Sequence, residues 1–289
     1  MTLQLIAQMT ITAITLGLIY GLIAIGLTLI FGVMRIIQYA HGEIYMLGAY
    51  FLYYWFDVLH LPYWAGLLMS AVVIFFFGVG LQLLLFRPLH GKQMLYSLAV
   101  SLALIFIISS TGLITFGAVV RGISSFVTGG VKIVGAELTY ERMIIAMISL
   151  TLILGLWFLL QRTKIGIALR AVAEDPETAA LMGINNRRIH YIAMGLGSAL
   201  AAVAGCLMGT LMFIVPTMGF VATVKAFMIV IMGGLGSVVG ALVGGFIIGI
   251  IDSFLTTLAS SELAYIMGFV TIFAILVFKP SGIFGQDWE

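Results

Sequence analysis

The stretch L-I-A-Q-M-T-I-T-A-I-T-L-G-L-I-Y-G-L-I-A-I-G-L-T-L-I-F-G-V, residues 5–33, contains no Asp, Glu, Lys or Arg. As a helix it exceeds the ~20 residues needed to cross the hydrocarbon core of a bilayer. No small-residue cleavage site follows it, so it is expected to be a retained helix and not a signal peptide. Eight further apolar segments follow, at 43–58, 64–86, 94–117, 142–161, 190–214, 221–233, 239–258 and 262–278. Over 289 residues, 63% are apolar and 8% charged, against about 45–50% and about 25% in a soluble domain. No water-soluble fold of this size hides so much apolar surface. A transmembrane barrel would read as short alternating strands, whereas these runs are continuous. The expected fold is an all-α integral membrane protein, one domain over 1–289, with about eight or nine transmembrane helices.

Two segments, 43–58 and 221–233, are short for a full crossing. Arg35, His41 and Glu43 interrupt the chain before the first, and Gly233, Gly234 and Gly236 follow the second. Short or re-entrant helices of this kind line pathways, because irregular backbone at membrane depth survives only beside protein or water. With nine crossings, Arg35, Arg87, Lys92, Arg162, Lys164, Arg170, Arg187, Arg188 and Lys279 fall on one side and Arg121, Lys132, Arg142 and Lys225 on the other. The richer side is expected to be cytoplasmic, with the N-terminus outside and the C-terminus inside. Small residues recur at four-residue spacing at Gly17/Gly21, Gly205/Gly209, Gly240/Gly244 and Gly245/Gly249. This spacing serves close helix packing, within the chain or against a second subunit. A net charge of +2 gives no reason to expect nucleic-acid binding. The one cysteine, Cys206, lies in an apolar run and reads as a small core residue. No internal repeat is evident.

The extended polar stretch on the expected cytoplasmic side, residues 161–190, contains A-E-D-P-E-T-A-A-L-M-G-I, Ala173 to Ile184. Asp175 suits a helix N-cap, Pro176 the first helical position, and Glu177 the positive end of the dipole. Gly183 suits the left-handed C-terminal cap. A helix over 176–182 is expected, preceded by a second over Ile165 to Val172. So short a helix is marginal alone. Its apolar residues Ala179, Ala180, Leu181 and Met182 pack either on the membrane surface or the protein's own bundle, or in the groove of a soluble partner.

This loop resembles the coupling loop of bacterial ATP-binding-cassette importer permeases, and the chain as a whole resembles the branched-chain amino acid permease family. Further matching stretches are G-L-I-Y-G-L-I-A-I-G-L-T-L-I-F-G-V (17–33), Y-A-H-G-E-I-Y-M-L-G-A-Y (39–50), K-A-F-M-I-V-I-M-G-G-L-G-S-V-V-G-A-L-V-G-G (225–245) and K-P-S-G-I-F-G (279–285). The resemblance implies a subunit of a bacterial inner-membrane importer. Its partners would be a second, similar permease, two cytoplasmic ATPases docked on the coupling loops, and a soluble substrate-binding protein. The docking residues it implies are Ala173, Glu174, Asp175, Pro176, Ala179, Ala180, Gly183 and Ile184. Family substrates are leucine, isoleucine and valine, with branches for other amino acids, urea and short amides. The chain has no G-x-x-x-x-G-K-[ST] phosphate loop, so ATP and Mg are expected on partner subunits and no cofactor on this chain.

Other polar residues are pathway or gating candidates: His41, Glu43, Lys225, Asp252 and the glycines at 233, 234 and 236. His41 and Glu43 lack a third ligand for a metal. They read as capping residues at the cytoplasmic interface, or as residues of pathway gating or partner contact. Lys225 and Asp252 need partners or water at membrane depth. They pair across a hairpin turning at 234–238, with an offset of about 7 Å, or reach separately for the interface. The serines at 109–110 and 124–125 read as helix-end and loop residues. No Ser-His-Asp or Cys-His set is present, so a membrane enzyme is disfavoured. A stand-alone carrier or channel remains the alternative to the importer permease.

Overall fold

The computed structural model describes residues 3–133 and 135–285. The 1–289 expectation thus extends over a few residues outside the described ones. Eleven α-helices occur among the described residues, and seven of the helical segments are long and apolar enough to cross a membrane. These are α1 (Leu3–Met34), α3 (Tyr63–Leu81, continued in tighter and wider turns to Leu89), α4 (Met94–Phe116), α5 (Tyr140–Arg162), α8 (Asn186–Leu211), α10 (Val238–Leu258) and α11 (Ser261–Phe278). Two short helices, α2 (His41–Tyr53, continued as a π-turn to Val58) and α9 (Met218–Gly233), fill the places of the two short segments. Two more, α6 (Lys164–Glu174) and α7 (Pro176–Leu181), form the polar loop. A small antiparallel hairpin, β1 (Gly130–Ile133) and β2 (Ala136–Thr139), is an addition to the expected all-α fold. It lies at the opposite end of the bundle from α7, beside the start of α1.

The long helices sort by burial. α1 and α8 are buried along most of their length, while α3, α4, α5 and α11 expose most of theirs. In a bilayer exposed apolar side chains lose nothing to lipid, so the inner helices are distinguished by small residues and not by extra hydrophobicity. α1 and α8 touch through backbone: a β-carbon on Gly26 would lie 2.7 Å from the Gly197 carbonyl oxygen, and one on Gly197 2.6 Å from that of Gly26. α1 packs antiparallel on α10, with Gly245 against Gly21 and Gly249 against Gly17. Gly240 meets Gly233, and Gly205 meets the Tyr45 backbone. The four glycine pairs spaced by four thus have packing partners inside this chain.

The breaks at 35–40 and 212–217 are each six residues without helix. After α1 ends at Met34, the chain turns back along it, and His41 reaches the Ile23 carbonyl at 3.2 Å. Ile23 lies eleven residues before the end of α1, roughly 17 Å at the helical rise. α2 therefore starts deep in the bundle. The second break does the same in the opposite direction after α8, and α9 also starts at depth, where Gly219 meets Glu43. A long helix, a six-residue return and a half-length helix thus occur twice, inverted. The low sequence similarity of the two copies hides this repeat from inspection.

Counting each half-helix with its return segment as one crossing, the seven long helices and two half-helices give a nine-crossing path with its two ends on opposite sides. A cysteine placed at Ser124, in the hairpin-side loop, is predicted to react with an impermeant maleimide only from the side opposite to a cysteine at Asn185. Labelling of both from one side of sealed membranes would refute the nine-crossing path.

Candidate functional site

Two regions assemble the candidate residues. The first is where the N-termini of α2 and α9 meet. Gly42 lies against the Gly219 carbonyl and Thr223, and its N–H donates to the Thr223 hydroxyl at 3.1 Å. That hydroxyl donates to the Tyr39 carbonyl at 3.1 Å. Tyr39 stacks on Phe227 with ring centroids 4.5 Å apart. The Glu43 carboxylate projects from the first turn of α2 to the first turn of α9, where its Oε2 and Oε1 lie 2.6 and 2.8 Å from the place a Gly219 β-carbon would take. Ser109 of α4 lies beside it. Each helix N-terminus carries about half a positive charge from unpaired N–H groups. Glu43 places its carboxyl oxygens where two such ends converge.

The interfacial placement of His41 and Glu43 is therefore corrected. His41 is fully buried and Glu43 nearly so, because the 35–40 return carries them from the end of α1 into its middle. Ser109 likewise faces this centre and is not a helix-end residue. Among the described residues no cluster of three metal-ligating side chains occurs.

The second buried feature is the ion pair of Lys225 on α9 and Asp252 on α10. Of the two readings left open by the sequence, pairing is the one realised. Tyr20 of α1 completes it: the Tyr20 hydroxyl donates to Asp252 Oδ2 at 2.7 Å and accepts from Lys225 Nζ at 2.8 Å. Gly233, Gly234 and Gly236 form the tight turn between α9 and α10, with Gly234 at φ +103° and Gly236 at φ +87°. They pack on Gly240, Gly285 and Gly32 respectively, at the α7 end of the bundle. They are a packed turn and do not line the buried centre.

The second region is the α6–α7 loop. Asp175 caps α7 by accepting from the Glu177 and Thr178 amides at 2.9 and 3.2 Å and from the Thr178 hydroxyl. The Thr178 hydroxyl, with the Thr178 and Glu177 amides and the nearby Arg35, holds the Asp175 carboxyl below its ordinary range. This anionic cap is complete above the usual carboxylate pKa and is lost as pH falls through the lowered value. At the other end Gly183, at φ +85°, donates to the Ala180 carbonyl and Ile184 to that of Ala179, each at 3.0 Å. This double closure requires a left-handed residue that only glycine adopts without strain. The Asn186 side chain donates to the Pro176 carbonyl at 2.6 Å and fastens α7 to the start of α8. The apolar face divides: Ala179 is buried against the protein itself, whereas Ala180, Leu181 and Met182 face outward. Ala173 and Ile184 are half-buried and Glu174 exposed.

The profile of the branched-chain amino acid transport system permease component matches residues 9–276. The chain belongs to this family. It is 30% identical over 293 residues to the high-affinity branched-chain amino acid transport system permease protein BraD of Pseudomonas aeruginosa, covering 96% of this chain and 95% of that one. It is 30% identical, with the same coverage, to the LivH permease of Escherichia coli K12. The probable LivH permease of Methanocaldococcus jannaschii is 32% identical over 93% of this chain and 89% of its own length. No solved structure matches the chain.

The residues of this permease that escaped sequence reading are Tyr20, Arg35, Gly42, Ser109, Gly219 and Thr223. Tyr20 lies in an unbroken apolar run and signals nothing alone. Arg35 was read as a topogenic charge, yet it stands at φ +52° at the end of α1 and donates to the Glu174 carbonyl at 3.4 Å. It ties the first return segment to the α6–α7 junction. For Gly219→Ala the added carbon has no room beside Glu43, and the expected cost is about 1–3 kcal/mol. A lowered thermal midpoint in detergent, and recovery of part of it by Glu43→Ala in the same chain, would check the contact. An unchanged midpoint for Gly219→Ala would show that the two half-helices do not meet there.

Proposed function

We propose that this chain is the membrane subunit of an ATP-driven importer that carries branched-chain amino acids into the cytoplasm. The observation that carries the reading is α7, a six-residue helix closed at both ends and fastened to α8, which holds Leu181 and Met182 out at 87% and 80% exposure. A stand-alone carrier has no use for such a projection. A docked ATPase does, because solvent-exposed Leu and Met on a rigid support are the side chains that fill a partner's pocket. The preponderance of Lys and Arg on the α7 side makes that side cytoplasmic. The N-terminus is then outside, the C-terminus inside, and the membrane is the bacterial inner membrane. Burial of Lys225 removes it from the loop charges and leaves three basic residues on the outer side.

In this reading two cytoplasmic subunits bind and hydrolyse ATP with Mg, a second homologous permease completes the pathway, and a soluble protein delivers the solute from outside. This chain performs no chemistry and binds no cofactor. Its task is to change shape when the ATPases do, and a ligand or partner shifts such an equilibrium only through contacts that differ between the states. Movement of α7 passes to α8 through Asn186, and to α1 through Arg35 and the Glu174 carbonyl. Both helices feed a return segment and a half-helix, so both halves of the buried centre are addressed from one docking point.

The test separates docking from folding. Leu181→Asp and Met182→Asp alter only outward side chains, so both variants are expected to insert and assemble in the membrane normally. Both are expected to lose ATPase co-purification and uptake by at least about tenfold, as loss of a central apolar contact of 1.4 kcal/mol or more would give. Ala179→Asp is the contrasting control. It buries an unpaired carboxylate within the chain itself at several kcal/mol and should destabilise the loop with or without a partner. Wild-type ATPase retention and uptake in both outward variants would remove α7 as the docking element and favour the carrier.

A further inference from the structure

A cavity of about 240 Å³ opens at the α7 end of the bundle, where α1, α5, α6 and the start of α10 converge. Gly32 of α1 and Gly236 of the α9–α10 turn face each other in its wall, where a β-carbon on either would lie 3.4 or 3.9 Å from the other's Cα. Its polar lining is Thr28, Gln161, Arg170 and Ser237. Arg170 is exposed and forms no ion pair among the described residues. The Thr28 side of the cavity is the more telling. Thr28 is 1% exposed, yet its hydroxyl has no hydrogen-bond partner among the described residues. A helical threonine can bond the carbonyl one turn back, as Thr10, Thr15 and Thr115 do in this chain. Thr28 does not, and its side chain lines the cavity instead.

Two further features of the cavity agree with an amphiphilic occupant that carries an anion. The Ser237 hydroxyl caps α10 by accepting from the Gly240 amide at 3.0 Å. The amides of Val238 and Val239 are not used by this cap, and the partial positive charge of the helix end adds to that of Arg170. The cavity also has an apolar exit. Leu150, Leu154, Trp157 and Gln161 follow one another along α5 at spacings of four, three and four residues, which places them on one helix face. Leu150, Leu154 and Trp157 are exposed by 45%, 55% and 48%. Trp157 and Gln161 line the cavity, and the two leucines continue the face towards the middle of the bilayer. From depth to surface α5 thus offers leucine, tryptophan and an amide. That is the order of acyl chain, interface and headgroup in a phospholipid leaflet.

We infer that this cavity is a binding site for the headgroup of an anionic phospholipid in the leaflet on the α7 side. The Arg170 guanidinium takes the phosphodiester, whose oxygens match its planar donors. The Thr28 hydroxyl donates to a phosphate or glycerol-ester oxygen, and the start of α10 faces the same negative charge. One acyl chain lies on Trp157, Leu154 and Leu150. Basic recesses between spanning helices hold headgroups in this way. The volume is below the roughly 300–1,000 Å³ of pockets for drug-sized ligands, so the headgroup enters and the chains stay in the bilayer. A zwitterionic headgroup brings an ammonium towards Arg170, which disfavours it. The exposed residues that lead out of the cavity along α5 are apolar, which favours lipid over a soluble protein as the occupant. The bound headgroup touches α1, α6 and α10 together, and so ties α6, and the α7 loop that follows it, to the bundle. The site does not depend on which solute the chain carries.

The experiment uses the full-length chain in delipidated detergent solution, with dioleoyl phosphatidylglycerol, dioleoyl phosphatidylethanolamine and glycerol phosphate as probes. Native mass spectrometry gives the affinity of the first bound lipid, and the thermal midpoint is measured on the same samples. Phosphatidylglycerol is expected to bind at least about tenfold more tightly than phosphatidylethanolamine and to raise the midpoint. Glycerol phosphate, which has the headgroup without the chains, is expected to leave the midpoint unchanged at the same concentration. Arg170→Gln is expected to weaken phosphatidylglycerol binding at least about tenfold and Thr28→Val about threefold, the loss of one charged and one neutral donor. Neither variant is expected to lower the midpoint in the absence of lipid. Lys164→Gln removes the same charge from the same loop outside the cavity and is expected to keep the wild-type affinity. Equal affinity for the two lipids, wild-type binding by either cavity variant, or an equal loss in Lys164→Gln overturns the site. So does a lowered lipid-free midpoint in both cavity variants, which would assign Arg170 and Thr28 to packing. Stabilisation by glycerol phosphate alone would replace the lipid by a free anion. Loss of co-purified ATPase in Arg170→Gln with phosphatidylglycerol still bound would give the cavity to a protein partner.

Discussion

Two helix N-termini that point at each other inside a membrane are electrostatically unfavourable, and the arrangement of this protein depends on how that meeting is stabilised. α2 and α9 both begin at depth, with their unpaired N–H groups in a medium that supplies no water from the lipid side. Glu43 lies between them, and Gly42 and Gly219 allow the approach that places it there. A side chain at either glycine separates the ends. The long helices α1 and α8 hold the half-helices in register through their own glycine contact at Gly26 and Gly197. The remaining long helices surround this centre and present apolar residues to lipid.

The inverted pairing gives the centre two equivalent sides. α2 runs from the meeting point towards the hairpin side, and α9 runs from it towards the α7 side. Opening on one side and closing on the other can then be a single tilt of one unit against the other, as in transport proteins built from inverted repeats. The cavity beside Lys225, lined also by Tyr20, Tyr45 and Met208, lies on the hairpin side of the meeting point. The Tyr39–Phe227 stack lies on its α7 side and lines a second cavity together with Leu27, Ile36 and Val230.

The architecture was legible in the sequence where chain length and apolar composition decide it. Nine segments, two of them short, correspond to seven long helices and two half-helices within a few residues. The α7 caps were also legible, since Asp175, Pro176 and Gly183 act on neighbours within one turn. Depth was not legible. His41 and Glu43 lie seven and nine residues after the end of a spanning helix, a position that reads as interfacial unless the chain is known to double back. The return is set by contacts such as His41 to Ile23 and Thr223 to Tyr39, which join residues eighteen or more apart in sequence. For the same reason Tyr20 carried no signal: its role exists only once α9 and α10 bring Lys225 and Asp252 to it. Ala179 was placed on the docking face because small apolar residues do not disclose which side of a short helix the parent protein covers.

Arg35 shows how the two regions are joined. A non-glycine residue in the left-handed region costs of order 1–3 kcal/mol and persists only where surrounding contacts determine it. Here the contact is made with the α6–α7 junction through the Glu174 carbonyl, close to Asp175. The conformation of Arg35 sets the direction in which the chain leaves α1, hence the path of 35–40, hence the depth at which α2 begins. If α7 moves and the Arg35 contact is lost, the strained backbone is free to relax, and relaxation displaces the α2 end from Glu43's position opposite Gly219. A force applied at the membrane surface thereby reaches the midplane without passing through the body of a long helix.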